Sequence, residues 1–182
     1  MEVLSRGRIL AAALLVCAAV GESAADDGDG RDAVAAECVA SPDAPRPQLE
    51  VRTLGGEAAD WQSLQGRPSV IDVWATWCSA CRATLKAADR LAHEIPSSRL
   101  SVIGLSVDRN GADAAGWLAE TLPAARLKAW QAAPGAAFRA LDIGSLPATL
   151  LLDSEGRVLA SHAGSDPAEL AALLAHARRC AR

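Results

Sequence analysis

Cys78-Ser79-Ala80-Cys81 is the arrangement in this chain whose residue types and spacing most directly imply chemistry. Two thiols three residues apart can form a disulfide between themselves and exchange it with another protein's disulfide. A strand is expected just before them, and a helix beginning at Cys78. The partial positive charge of a helix N-terminus stabilises a thiolate and lowers its pKa. The first sulfur is then the nucleophile. The second lies one turn further in and is suited to resolving the mixed disulfide. Arg82, four residues after Cys78, would lie on the same helical face and support the thiolate. Zinc would need two further ligands. His93, His162 and His176 supply no second close pair, so neither a metal nor another cofactor is expected. Arg82 also stands where covalent haem attachment would need His.

The elements around the pair are legible as patterns. Ser69–Trp74 is rich in β-branched residues and largely apolar, as a strand buried on both faces should be. Leu85, Ala88, Leu91 and Ala92 recur at helical spacing as far as Glu94, and Pro96 follows. Further strands are expected at 49–54, 100–107, 127–130, 148–153 and 157–162. Helices are expected at 112–121, 134–141 and 166–178. Pro134 and Pro167 suit first helical positions, and Ser165 or Asp166 suits a cap. Strands alternating with helices, then a hairpin and a last helix, give an α/β domain with a mixed central sheet covered on both faces. Trp74, Trp117 and Trp130 read as packing residues.

Asp72-Val73-Trp74-Ala75-Thr76-Trp77-Cys78-Ser79-Ala80-Cys81 resembles the active-site segment of thioredoxin-like proteins. Its Trp-Ala-Thr-Trp-Cys stretch is most similar to the TlpA/ResA-type periplasmic disulfide reductases. A second match is distant in sequence. Gly144-Ser145-Leu146-Pro147-Ala148-Thr149 and the apolar run after it resemble the family's cis-proline loop and its strand. Asp153-Ser154-Glu155-Gly156-Arg157 is similar to its hairpin. The resemblance implies a thioredoxin-like domain over 48–182. It makes Cys78 the attacking cysteine and Cys81 the resolving one. It also makes Pro147 cis, with the backbone of Leu146 exposed to an extended substrate and Trp77 flanking the sulfur on the contact surface. Asp72 would be the buried acid that takes the proton of Cys81, since burial raises a carboxyl pKa toward neutrality. The chain departs from the family pattern at three places. Thr84 stands where many relatives have an acid, Ala80 where many have Pro, and Leu85-Lys86 where a helix proline is common.

The chain's other features fit an envelope protein. Arg6 and Arg8, the apolar run Ile9–Val20 and the small-residue exit Gly21–Ala25 form a signal peptide over 1–25. Cleavage after Ala25 or after Gly21 is compatible with the pattern. As an uncleaved helix the apolar run would reach about 18 Å, against roughly 30 Å of hydrocarbon. Leu14-Leu15-Val16-Cys17 resembles a lipoprotein box except for the β-branched Val16. Residues 26–47 are acidic, then proline-containing, and poor in large apolar groups, so they read as a linker. Cys38 and Cys180 flank the domain. If Cys78 and Cys81 are the redox pair, they are left to bridge each other, to stay free, or to link two chains.

A net charge of −4 from 18 basic and 22 acidic residues excludes a strongly basic nucleic-acid binder. An apolar fraction of 51% argues against disorder, and the single short apolar run argues against a polytopic membrane protein. Five cysteines in 182 residues are too few for a disulfide scaffold. What the resemblance implies is reduction of disulfides in envelope proteins, recharged by a membrane dithiol donor. Cytochrome c or copper-site maturation are the family's settings. Ser79-Ala80 brings no cation to the thiolate and Asp72 is an acid nearby, and both favour a reductant. The competing readings are an oxidase or isomerase of secreted proteins, and a non-enzymatic interaction module with an inert disulfide.

Overall fold

The structure is a computed structural model, and it describes residues 36–182. The signal peptide, Cys17 and residues 26–35 of the expected linker lie outside the described residues. Seven strands form one mixed sheet: β1 Val51–Thr53, β2 Ala58–Ala59, β3 Ser69–Trp74, β4 Ser101–Ser106, β5 Lys128–Gln131, β6 Ala148–Leu152 and β7 Val158–Ala163. Their order across the sheet is β2-β1-β5-β4-β3-β6-β7. A short 3-10 helix spans Trp61–Leu64, and four α-helices follow: α1 Cys81–Glu94, α2 Gly111–Thr121, α3 Pro134–Ala140 and α4 Pro167–Cys180. No described helix is long and apolar enough to cross a membrane.

The centre of the sheet is β3, parallel to β4 on one side and antiparallel to β6 on the other. Every residue of β3, β4 and β6 is buried. That is why these strands read as continuous apolar runs rather than alternating ones. Asp72, Trp74 and Gly104 share one face of the sheet. There Leu85, Ala88 and Leu91 of α1 are fully buried, and Trp117 of α2 stacks on Trp74 with ring centroids 4.9 Å apart. Gly104 makes room for this layer. A Cβ there would lie 3.0 Å from side-chain carbons of both Leu127 and Leu85. On the other face Trp61 meets Trp130, with centroids 6.4 Å apart.

Helix ends follow the side chains that can cap them. Asn110 accepts from the N–H of Ala112, and Asp166 accepts from Ala168 and Glu169 with Pro167 at the first position. The first strand is shorter than expected. It turns at Gly56, whose φ of 92° suits glycine, into the two-residue β2.

Part of the segment read as a linker is packed on the domain. Ala40 N–H donates to Asp153 Oδ2 at 3.1 Å, Val158 N–H to the Pro45 carbonyl at 2.8 Å, and Trp61 Nε1–H to the Pro47 carbonyl at 2.9 Å. Few large side chains are needed there, because backbone hydrogen bonds to the hairpin order it.

Candidate active site

The end of β3 delivers a loop, Ala75-Thr76-Trp77, that carries Cys78 to the start of α1. The helix begins at Cys81, not at Cys78 as expected. The N-cap is Ala80 and no side chain caps the helix, and the Cys78–Cys81 segment closes as a turn before it. In it the Cys81 N–H donates to the Cys78 carbonyl at 3.2 Å and to Cys78 Sγ at 3.2 Å. Cys78 therefore stands in front of the helix N-terminus, facing a backbone donor. Both effects favour a thiolate there. The two cysteines are joined as a disulfide. Cys78 lies under a thin cover, Cys81 is fully buried, and Trp77 beside them is 70% exposed. Arg82 places its guanidinium carbon 5.2 Å from the centre of the Trp117 ring, a cation–π contact on the flank of the site.

The loop is held from β4. Asp108 accepts from the Thr76 N–H at 3.0 Å, from Thr76 Oγ1 at 2.8 Å and from Ser106 Oγ at 2.9 Å. Behind the cysteines lies Asp72, completely buried on β3. Thr149 Oγ1 donates to its Oδ1 at 2.8 Å and Thr84 Oγ1 to its Oδ2 at 3.2 Å. Loss of hydration pushes the Asp72 pKa up to about 7, against the opposing pull of the Thr149 and Thr84 hydroxyls. Thr84 Oγ1 also lies 3.1 Å from the Cys81 carbonyl, so it links the acid to the turn bearing the resolving cysteine.

The Leu146–Pro147 peptide is cis. Pro147 leads directly into β6, and the Pro147 carbonyl accepts from Gly164 N–H at 2.8 Å. Leu146 is half-buried and packs on the edge of the core. Beside Trp77 a groove of about 480 Å³ runs between Arg109, Asp113 and Phe138.

Residues 42–173 match the AhpC/TSA family model. The chain belongs to the AhpC/TSA family. It is 31% identical over 147 residues to the thiol:disulfide interchange protein DsbE of Tatumella citrea, covering 79% of this chain and 75% of that protein. Its match to DsbE of Escherichia coli K12 is 29% identical over 125 residues, 66% of this chain and 64% of that one. The chain thus spans a little under two thirds of the Escherichia coli relative. In three dimensions it is similar to a secreted Mycobacterium tuberculosis disulfide oxidoreductase homologous to Escherichia coli DsbE. That match has a TM-score of 0.58 and 21% identity, and covers 71% of this chain and 96% of that one. The fold is thioredoxin-like.

Within this family framework the fold brings Cys78, Cys81, Asp72 and Trp77 together around the end of β3, while Pro147 opens the neighbouring strand, β6. Cys38 and Cys180 lie elsewhere, joined to each other across a sequence separation of 142. Two contributors escaped the sequence reading. Thr149 reaches Asp72 because the β3–β6 register pairs them directly, although they are 77 positions apart. The only sequence signal was its place two residues after Pro147. Asp108 lies just past the strand expected at 100–107, and its role as anchor of Thr76 comes from the β3–β4 pairing. Trp74 is core as expected, although its indole Nε1 has no acceptor among the described residues.

Proposed function

We propose that the chain is a thiol–disulfide oxidoreductase of the bacterial envelope that reduces disulfides in other proteins. The observation that carries this is the Cys78–Cys81 pair at the head of α1, with the buried carboxyl of Asp72 behind it. In the reduced enzyme the Cys78 thiolate attacks one sulfur of a target disulfide. The target's other sulfur leaves as a thiolate, and a mixed disulfide forms. Asp72, ionised in part near pH 7, takes the proton of Cys81. The Cys81 thiolate then attacks Cys78 Sγ and releases the target's second thiolate. Two electrons have moved from the pair to the target. A membrane dithiol donor returns two to Cys78–Cys81.

The accessory roles follow. Trp77 presents an exposed indole at the contact surface, and the groove beside it can seat residues flanking a target cysteine. The cis Leu146–Pro147 peptide presents extended backbone to the target. Cys38–Cys180 is a structural bridge between the two ends of the domain. The leader directs the chain to the envelope, and the names of the DsbE relatives agree with disulfide exchange. Cytochrome c or copper-site maturation is the setting proposed for its targets.

The test is capture in cells with Cys81→Ala. A mixed disulfide between Cys78 and an envelope protein supports the reading, and its loss with Cys78→Ser confirms the attacking sulfur. Absence of any Cys78-dependent adduct at good expression would reject it. Direction is tested by the reduction potential of the pair. A value near that of strong oxidants, about −120 mV, would assign oxidation instead.

A further inference from the structure

The far end of α4 holds a second constellation that the exchange reaction does not use. One sulfur each from Cys38 and Cys180 and a ring nitrogen of His176 all lie within 4.8 Å of one another, and each residue is half-buried. His176 and Cys180 are four apart on α4, which sets both on one helical face. Cys38 arrives from the opposite end of the chain. That separation of 142 hid the cluster from any reading of spacing.

The surroundings suit a ligand set. His176 has a ring Nε2 2.8 Å from the Glu37 carbonyl. A carbonyl only accepts, so Nε2 carries the hydrogen and the neutral ring keeps its lone pair on Nδ1. An imidazole whose second nitrogen donates to a carbonyl is the usual form of a metal-binding histidine. Arg179 pairs with Glu37 at 3.2 Å, which fastens the residue before Cys38 to the helix that carries His176 and Cys180.

We propose that opening the Cys38–Cys180 bridge creates a site for a thiophilic d10 cation, Zn2+ or Cu+, held by Cys38, Cys180 and His176. In the oxidised chain both sulfurs are tied up in the bridge and the site does not exist. A protein dithiol, such as the reduced Cys78–Cys81 pair of a second copy, supplies two electrons and becomes a disulfide. Its two protons pass to Cys38 and Cys180. The cation then displaces those two protons and is bound by two thiolates and one neutral imidazole. Two thiolates with one imidazole is a soft donor set that leaves a coordination position open for water or another ligand. The metal takes over the work of the bridge, holding the segment before β1 against α4.

The experiment uses the full chain with Cys17, Cys78 and Cys81 changed to Ser, so that only the two cysteines of interest remain. The protein is reduced without oxygen, freed of reductant, and titrated with Zn2+ and, separately, Cu+ against chromophoric chelators. One ion per chain is expected for the reduced protein and none for the oxidised one. His176→Ala should weaken binding by at least about tenfold, since even outer partners of metal ligands are worth that much. The ion should also slow alkylation of both thiols while tryptophan fluorescence reports a folded chain. The arm with the tighter binding identifies the cation. Equal binding by the oxidised and reduced chains, or by the parent and His176→Ala, would overturn the proposal. So would unprotected thiols in the folded reduced chain.

Discussion

Changing Asp72 to Asn tests whether burial governs the acid behind the cysteines. In the oxidised protein its pKa is pushed up from 3.8 to about 7. The folded state therefore holds more protons than the unfolded state between those values. Stability carried by this group is complete below pH 3.8 and declines as pH rises through the folded pKa. Asn is a neutral stand-in for the protonated acid. Its amide can accept from Thr149 and donate to Thr84 Oγ1, whose own hydrogen still reaches the Cys81 carbonyl. The variant lacks the pH-dependent loss, so its advantage over the parent should grow with pH. The rise from 3.8 to about 7 corresponds to about 4 kcal/mol, and somewhat more than half of it falls between pH 5 and pH 8. Urea unfolding of both oxidised proteins at fixed salt, followed by tryptophan fluorescence, measures the difference. A difference that stays flat within about 0.5 kcal/mol over that range would refute the assigned pKa. A parent that gains on the variant as pH rises would reverse its sign. Under reducing turnover the same substitution should slow release of the target at pH 7, because the base is gone.

The neighbours give further tests. Thr149→Val keeps the shape and removes the 2.8 Å hydrogen bond to the carboxylate. A charge-assisted bond of about 1.5 kcal/mol implies that the pH profile of the resolving step moves up by about one unit, read from single-turnover kinetics. Asp108→Ala leaves the Thr76 N–H and hydroxyl without their acceptor. It should cost about 1–3 kcal/mol in urea unfolding and change the alkylation rate of reduced Cys78, whereas a substitution on the exposed side of α2 such as Glu120→Gln should do neither. Replacing both Cys38 and Cys180 by Ser opens a closure of 142 residues. The chain-entropy account sets the loss at up to about 5 kcal/mol, with exchange at Cys78–Cys81 retained, and a loss below about 1 kcal/mol would deny the bridge a stabilising role.

How much of this was legible in the sequence depended on the distance over which each signal acts. β3, β4 and β6 announced themselves because strands buried on both faces are mostly apolar and do not alternate apolar with polar residues. The start of α4 was readable from Asp166 and Pro167, which act on the next two or three backbone groups. The start of α1 was not, because the residue at its N-cap is Ala80, which cannot cap, while the Ser79 hydroxyl one position earlier caps nothing. Only the structure shows the Cys78–Cys81 turn preceding the helix. β2 is two residues long and has no periodicity to detect. In the site, Cys78, Cys81 and Asp72 were legible because strand, loop and helix start are consecutive. Thr149 reaches the site across paired strands, and a one-residue change of register would send its side chain to the opposite face, while Asp108 lies two residues beyond β4 and meets Thr76 only because β4 runs beside β3.

That pairing has a consequence for the proposed exchange. Residues 146–149 do two jobs in it within four positions. The cis Leu146–Pro147 peptide just before β6 is the backbone offered to the target, and Thr149 within β6 holds the carboxylate that serves Cys81. A target strand docking at the first position bears on the same short segment that sets the hydrogen bond at the second. The attacking side of the site, with Trp77 exposed and Cys78 near the surface, must admit a macromolecule. The resolving side, with Cys81 and Asp72 fully buried, must exclude water to keep the acid near neutrality. One strand spanning both sides reconciles these opposed demands. The hydroxyl at 149 is therefore the position where a change leaves the thiols and their docking surface untouched and still alters the second step.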